Sequence, residues 1–285
     1  MALTRRRTYN DMSGKLYVVG TPIGNLEDIS PRAVRILGEA DFIAAEDTRV
    51  TVKLLNHFDI KKEMLSYYEH NKNTKGNLII ERILKGESCA LVSDAGMPAI
   101  SDPGEDLVRQ AHEAGITVES VPGPSALVTA LAISGMESGR FCFEGFLSVN
   151  KISRKKHLDE LKTEKRTMIF YEAPHKLNAT LKDMLKVFGD RKTALVRELT
   201  KIHETVFNTT LSEAVAFYAD NPPKGEFVLI IEGKKEEESE NYTTEDAVRL
   251  AKRLLDEGKS TSLAAKEAAE VTGIKKGDIY KALIG

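Results

Sequence analysis

Short apolar runs alternate with amphipathic stretches through the first half of the chain. Leu16-Tyr17-Val18-Val19, closed by Gly20, reads as a buried strand. Thr21 to Leu26 is rich in turn formers. Ser30-Pro31 then opens a helix over Arg32 to Ala40, with Pro at its first position. Asp41 to Ala45 predicts a second strand, and Val50 to Phe58 its following helix. Residues 66–77 are polar, and their Tyr, His, Asn and Lys side chains suit either nucleotide contact or loop capping. Leu78 to Leu84 reads as helix, Ser88 to Val92 as strand, Glu105 to Ala114 as helix and Ile116 to Val121 as strand. An apolar helix then runs to Ile133. This alternation predicts an α/β fold with a mostly parallel N-terminal sheet.

The pattern changes after Gly135. Strands are expected at Phe141–Phe146, Thr167–Tyr171, Thr193–Val196, Thr205–Phe207 and Gly225–Ile231. Helices are expected over Lys151–Arg166, from His175 to Phe188, and over Leu211–Tyr218. Three short helices follow, Thr244–Glu257, Ser262–Thr272 and Lys276–Leu283, with Gly258 and Gly273 as turns, a helix-turn-helix-like module. The expected plan is a disordered lead-in (1–13), an N-terminal α/β domain (14–135), a second α/β domain (136–233), a charged linker (234–242) and a helical module (243–285).

Composition narrows the function. The chain has 285 residues, 41% hydrophobic and 29% charged, with net charge −2. It is no polycation, so any nucleic-acid contact must come from local patches. The densest is Lys151 to Arg166, with seven Lys or Arg against three acids. Cys89 and Cys142 sit in apolar runs at no metal or redox spacing, and the His residues form no ligand pair, so no metal site is expected. The best apolar run, Ala126 to Ile133, falls far short of the roughly 20 residues that span a membrane. Arg5-Arg6-Arg7 is followed by no signal core, which predicts a cytoplasmic protein.

Three strand-to-helix connections stand out: Gly20–Asn25, Leu91–Gly104 and Pro122–Ala126. Each is built from small residues, so a ligand can approach the backbone closely, and each follows a strand, where open α/β sheets bind ligands. None is a GxGxxG or GxxxxGK[ST] loop, which excludes the common dinucleotide and P-loop chemistries. Glu46, Asp47 and Arg49 follow the second strand directly. They suit either a catalytic cluster or an acid-rich helix start. Glu198, Lys201 and Glu204 suit either chemistry or a surface ion-pair network.

Read together, several motifs carry a resemblance. They are Val19 to Asp28, Ala45 to Arg49, the Leu91–Gly104 loop, Pro122 to Ala126, Phe143 to Leu147, Tyr171 to His175 and Glu198 to Lys201. In this order they resemble the ribosomal RNA small subunit methyltransferase I family, within the tetrapyrrole methylase superfamily. The resemblance covers roughly residues 15–233, and the C-terminal helices are similar to the module that ends many members. It implies a two-domain tetrapyrrole-methylase-like fold, an S-adenosylmethionine cleft between the domains, and a homodimer. It also implies 2′-O-methylation of a cytidine ribose in the decoding region of 16S rRNA in the small ribosomal subunit. Two departures are visible: the superfamily's Gly-Asp-Pro signature is replaced within Asp94 to Pro98, and Ser148 stands where Pro is expected.

Carried over by position, Pro22, Asp94, Ala95, Gly96, Met97, Ala99, Ile100, Ser125 and Ala126 are the expected cofactor residues. Glu46, Asp47 and Arg49 are the first acceptor-site candidates, and Glu198, Lys201 and Glu204 the second. Lys151, Arg154, Lys155 and Lys156, with the C-terminal module, are expected to hold RNA phosphates. The competing readings are a small-molecule methylase of tetrapyrrole or diphthine type, and a non-enzymatic RNA-binding protein.

Overall fold

The computed structural model describes residues 14–235 and 242–284. The expected lead-in at 1–13 and most of the charged linker lie outside the described residues. The chain separates into two compact units, divided between Lys234 and Lys235.

The first sheet is fully parallel. In chain order its elements are β1 (Lys15–Val19), α1 (Pro31–Glu39), β2 (Phe42–Ala45), α2 (Thr48–His57), β3 (Glu63–Ser66), α3 (Lys72–Leu84), β4 (Cys89–Val92), α4 (Gly104–Glu113) and β5 (Thr117–Val121). The strand order is β3-β2-β4-β1-β5. Alternation along each strand sorts side chains between two helical layers. Tyr17, Val19, Ile43, Ala90 and Val92 pack with Ile36, Leu37 and Leu55 of α1 and α2. Leu16, Phe42, Ala44, Cys89 and Leu91 pack with Ile79, Ile83 and Leu107 of α3 and α4.

The second sheet is mixed. It comprises β6 (Phe141–Phe146), β7 (Thr167–Glu172), β8 (Lys192–Arg197), β9 (Thr205–Thr210) and β10 (Phe227–Ile231), in the order β6-β7-β10-β8-β9. Only the β6–β7 pair is parallel. One face is covered by α6 (Lys151–Glu160), α7 (Pro174–Phe188) and α8 (Leu211–Asp220), through Leu158, Leu181, Met184 and Leu211. The other face is covered by α5 (Ala126–Ser134), whose Ala130 and Leu131 pack on Ile169, Val196 and Ile230. Thus α5 follows the last strand of the first sheet but packs on the second. The chain crosses over at Ser125, not after Gly135.

The sequence pattern misses one strand and overextends one helix. Glu63–Ser66 forms an edge strand that the sequence pattern does not announce, because it is four residues long and follows Lys61-Lys62. The helix expected over Lys151–Arg166 stops at Glu160. The chain must turn before β7, and Glu164 shapes that turn by accepting bonds from the Arg166 backbone and guanidinium, each at 2.8 Å.

The second unit holds α9 (Thr244–Asp256), α10 (Thr261–Thr272) and α11 (Lys276–Ile284). Its core is mostly alanine: Ala247, Ala251, Ala265 and Ala268, closed by Ile279. Small side chains let the three helices approach closely. Gly273 makes the turn between α10 and α11 at φ 72°, the left-handed region that glycine enters freely.

Candidate active site

The three small-residue loops meet at the carboxyl edge of the first sheet. Thr21 N–H donates to Gly96 O at 2.9 Å, and Gly96 N–H donates back to Thr21 O at 3.1 Å. Gly96 holds φ +85° to make this exchange. Gly20 and Gly123 lie backbone against backbone; a Cβ on Gly20 would stand 2.7 Å from Gly123 N and Cα. Glycine is therefore needed on both sides of the seam.

The second sheet faces these loops across a cavity of about 510 Å³, within the range of small-molecule sites. The loop wall presents Glu46, Ser93 to Met97, Ile100 to Asp102, Ser125 and Ala126. The opposite wall is largely apolar, with Val196, Leu199, Phe227 and Val228. Phe146 and Tyr171 to Pro174 complete the lining. Most of the expected cofactor residues therefore come together here. Pro22 and Ala99 stand outside the lining. Ala99 adopts φ 66° and donates its N–H to Asp102 Oδ1 at 3.0 Å, so its role in the loop is conformational.

Of the first acceptor-site candidates, only Glu46 faces the cavity. Burial pushes its carboxyl above the usual range, and the charge of nearby Asp94 adds to the effect. Asp94 is raised too, first by burial, although Asp47 N–H donates to its Oδ1 at 3.0 Å. Asp47 caps α2 instead, accepting from Arg49 N–H at 2.8 Å, and clasps the Arg49 guanidinium at 2.6 Å. That clasp holds the Asp47 carboxyl at about 2. The acid-rich helix start is the structural account of Asp47 and Arg49.

The second candidates form an ion-pair cluster. Lys201 Nζ donates to Glu198 Oε1 at 2.9 Å and to Glu226 Oε2 at 3.0 Å, and Glu226 N–H donates to Glu198 at 3.0 Å. Lys201 keeps the Glu198 carboxyl below its ordinary range. Glu204 accepts from Thr200 N–H at 2.6 Å. None of the three lines the cavity; Glu226, which no motif singles out, does.

The basic stretch divides. Lys151, Lys155 and Lys156 are exposed on α6, whereas Arg154 is only 9% exposed. Arg154 donates to Asp183 Oδ2 at 2.8 Å and to Ser148 O at 3.3 Å, so it is a structural cation and leaves the phosphate-binding set. Tyr67, in the polar stretch 66–77, is also a core residue, its hydroxyl pushed up to about 12 by burial.

Tyr171 is the main cavity residue without an expected role. Its hydroxyl accepts from Leu127 N–H at 3.0 Å and so fixes the start of α5 to the second sheet. The strand-to-Pro junction Tyr171-Glu172-Ala173-Pro174 was its only sequence signal. Glu172, 2% exposed, is held by Thr180 at 2.6 Å and Lys176 at 3.0 Å. Among the described residues, no His, Cys, Asp and Glu cluster could hold a metal ion, and no helix is long and apolar enough to cross a membrane.

Paired α/β halves around a cleft of small-residue loops define a class. The model of the Tetrapyrrole (Corrin/Porphyrin) Methylases matches residues 15–215, and the chain belongs to that family. Among its relatives is Ribosomal RNA small subunit methyltransferase I of Halalkalibacterium halodurans, 49% identical over 95% of this chain and 94% of the relative. The protein of that name from Escherichia coli O157:H7 is 43% identical over 98% of both. Among solved structures, diphthine synthase matches at TM-score 0.59 and 15% identity, covering 77% of this chain and 90% of that one. The uroporphyrin-III-C-methyltransferase of Thermus thermophilus matches at 0.55 and 19%, covering 77% and 94%. These two share the fold.

Proposed function

We propose that this chain transfers a methyl group from S-adenosylmethionine to the ribose 2′-oxygen of a cytidine in the 16S rRNA of the small ribosomal subunit. The near full-length likeness to relatives of that name supports the acceptor. The observation that carries the chemistry is the convergence of the small-residue loops and Glu46 on one cavity facing an apolar wall. Such a site fits the cofactor. Val196, Leu199 and Val228 offer apolar surface to a flat adenine, and backbone groups of Asp94 to Met97 suit a zwitterion. The two carboxyl groups suit a sulfonium.

When bound, the cofactor supplies an electrophilic methyl on that sulfonium. The chain's own task is positioning, the larger part of an in-line displacement. Glu46 is the base for the ribose hydroxyl: its carboxyl lines the cavity and its Oε2 lies 3.5 Å from Asp94 N, which orients it. Lys151, Lys155 and Lys156 supply sequence-independent attraction for phosphates. The protein works as a homodimer, a reading supported by Val128 and Ile133, which stay exposed on α5. A ribosomal acceptor implies work in the cytoplasm.

The test is to treat unmethylated small subunits with this protein and labelled cofactor, then map the methylated riboses. One modified cytidine in 16S rRNA is expected. Label confined to bases, or absent from the RNA, overturns the reading.

A further inference from the structure

The rim of the cleft exposes apolar side chains. Along the connection from β6 into α6, Phe146 is 55% exposed, Val149 78% and Ile152 82%. Leu147 and Arg154 turn inward beneath them, and the backbone between is held by polar contacts. Arg154 donates to Ser148 O at 3.3 Å, and Lys176 Nζ donates to Leu147 O at 3.4 Å. Asn150 Oδ1 caps α6, accepting from Ile152 and Ser153 N–H at 2.9 and 3.1 Å. The backbone is thus held from beneath while three apolar side chains face water. Three large apolar side chains so exposed in one short stretch mark a surface for a partner.

The end of β6 is also re-aimed. Its pairing with β7 shifts register between Phe143 and Gly145, and Gly145 adopts φ +63°. Bulges next to active sites commonly redirect a side chain. Here the redirected side chain is Phe146, which lines the cavity and meets Tyr171 edge-on at 5.5 Å. The cation over its ring is Lys176, whose Nζ lies 5.6 Å from the ring centroid; Lys151 and Lys155 follow on α6, exposed, and make no ion pair among the described residues.

We propose that Phe146 is the stacking platform for the unpaired base of the acceptor nucleotide. Val149 and Ile152 widen that platform, and Lys151 and Lys155 take the adjoining phosphates. The inference rests on the ribosomal RNA reading and adds the residue that presents the nucleotide. A 2′-hydroxyl reaches Glu46 in the cavity most directly when its nucleotide leaves the RNA stack, and an extruded base stacks on a flat apolar partner. Phe146 offers one at the cavity mouth. A ring with Lys176 over it, followed along the chain by the exposed Lys151 and Lys155, matches a base joined to its phosphates better than it matches an uncharged protein surface.

The experiment uses the full chain, unmethylated small subunits and labelled S-adenosylmethionine, with the wild type run first. Methylation by the wild type establishes the acceptor; its absence defeats the ribosomal reading and the platform with it. With the acceptor established, Phe146→Leu and Phe146→Ala should each raise the KM for subunits about tenfold. Their affinity for S-adenosylmethionine, measured by calorimetry, should fall far less than the KM rises, and the binding that remains reports folding. Phe146→Trp should restore the KM. Lys151→Ala with Lys155→Ala should flatten the salt dependence of subunit binding. A wild-type KM in both Phe146→Leu and Phe146→Ala overturns the proposal. So does loss of cofactor affinity at unchanged subunit KM, which would make Phe146 part of the cofactor pocket. A dimer that persists in the wild type and dissociates in Phe146→Ala on sedimentation would make the rim a protein interface and likewise overturn it.

Discussion

Two neighbouring acids, Glu46 and Asp47, have opposite electrostatic fates. Glu46 is lifted above its ordinary 4.5 by burial and by Asp94. Its ionised form is therefore disfavoured by the fold, so its favourable contribution is full below 4.5 and is lost as pH rises through the lifted value. Glu46→Gln should consequently raise Tm at neutral pH while lowering methylation about 10²- to 10⁴-fold. Melting curves against pH and single-turnover rates check both, and unchanged turnover would remove Glu46 as the base. Asp47 is held at about 2 rather than 3.8 by the Arg49 clasp. Its contribution is present above 3.8 and fades as pH falls toward 2. Asp47→Asn should lower Tm only slightly at pH 7, since the pair is solvent-screened and Asn still caps α2, with the deficit closing in acid, and should leave turnover near wild type. The sequence alone does not separate these two residues. Both follow the same strand, and only the rotation of the chain into α2 decides which faces the cavity.

At the scale of elements, the loop seam sets the site. Gly20→Ala would drive a Cβ to 2.7 Å from the Gly123 backbone. Overpacking of that kind costs about 1–3 kcal/mol, and denaturant melts should show it together with weakened cofactor binding. Tyr171→Phe should cost about 1 kcal/mol, since it orphans the Leu127 N–H that the hydroxyl now accepts at 3.0 Å. The loop wall is legible in the sequence because each loop breaks an apolar run with small residues and turn formers, a local signal. The opposite wall is not. Val196, Leu199 and Val228 read as ordinary core positions, and only sheet pairing and the crossover of α5 bring them to the cleft. Arg154 fails for a related reason: charge in a basic run carries no sign of which side chains turn inward.

At the scale of the whole molecule, most strands and helices are recognisable from periodicity, as are the three C-terminal helices. The edge strand β3 is too short to announce itself, and the division of labour between the sheets depends on long-range packing. Four hydrophobic clusters hold the first unit together, all within residues 14–235. A chain ending at residue 235 should therefore bind S-adenosylmethionine as the full chain does, with the same ligand-induced rise in Tm, about 2.7 kcal/mol of added stability at a hundredfold excess over Kd. Calorimetry and melting of both chains test this. Loss of binding in the shorter chain would tie the helical module to the cofactor site.

The crossover helix α5 has a consequence for motion. It starts at the cavity with Ala126, leaves one sheet and is fastened to the other through Ala130, Leu131 and the Tyr171 hydroxyl. A strap of this kind stops the two halves from swinging apart like a clamshell. The strain in the cleft wall is local instead, at Ala99 and Ser101, which are held at φ 66° and 69°. Amide hydrogen exchange should find that segment opening freely while α5 stays closed. Motion at the cleft would then be confined to a few strained backbone angles, with the two sheets held together.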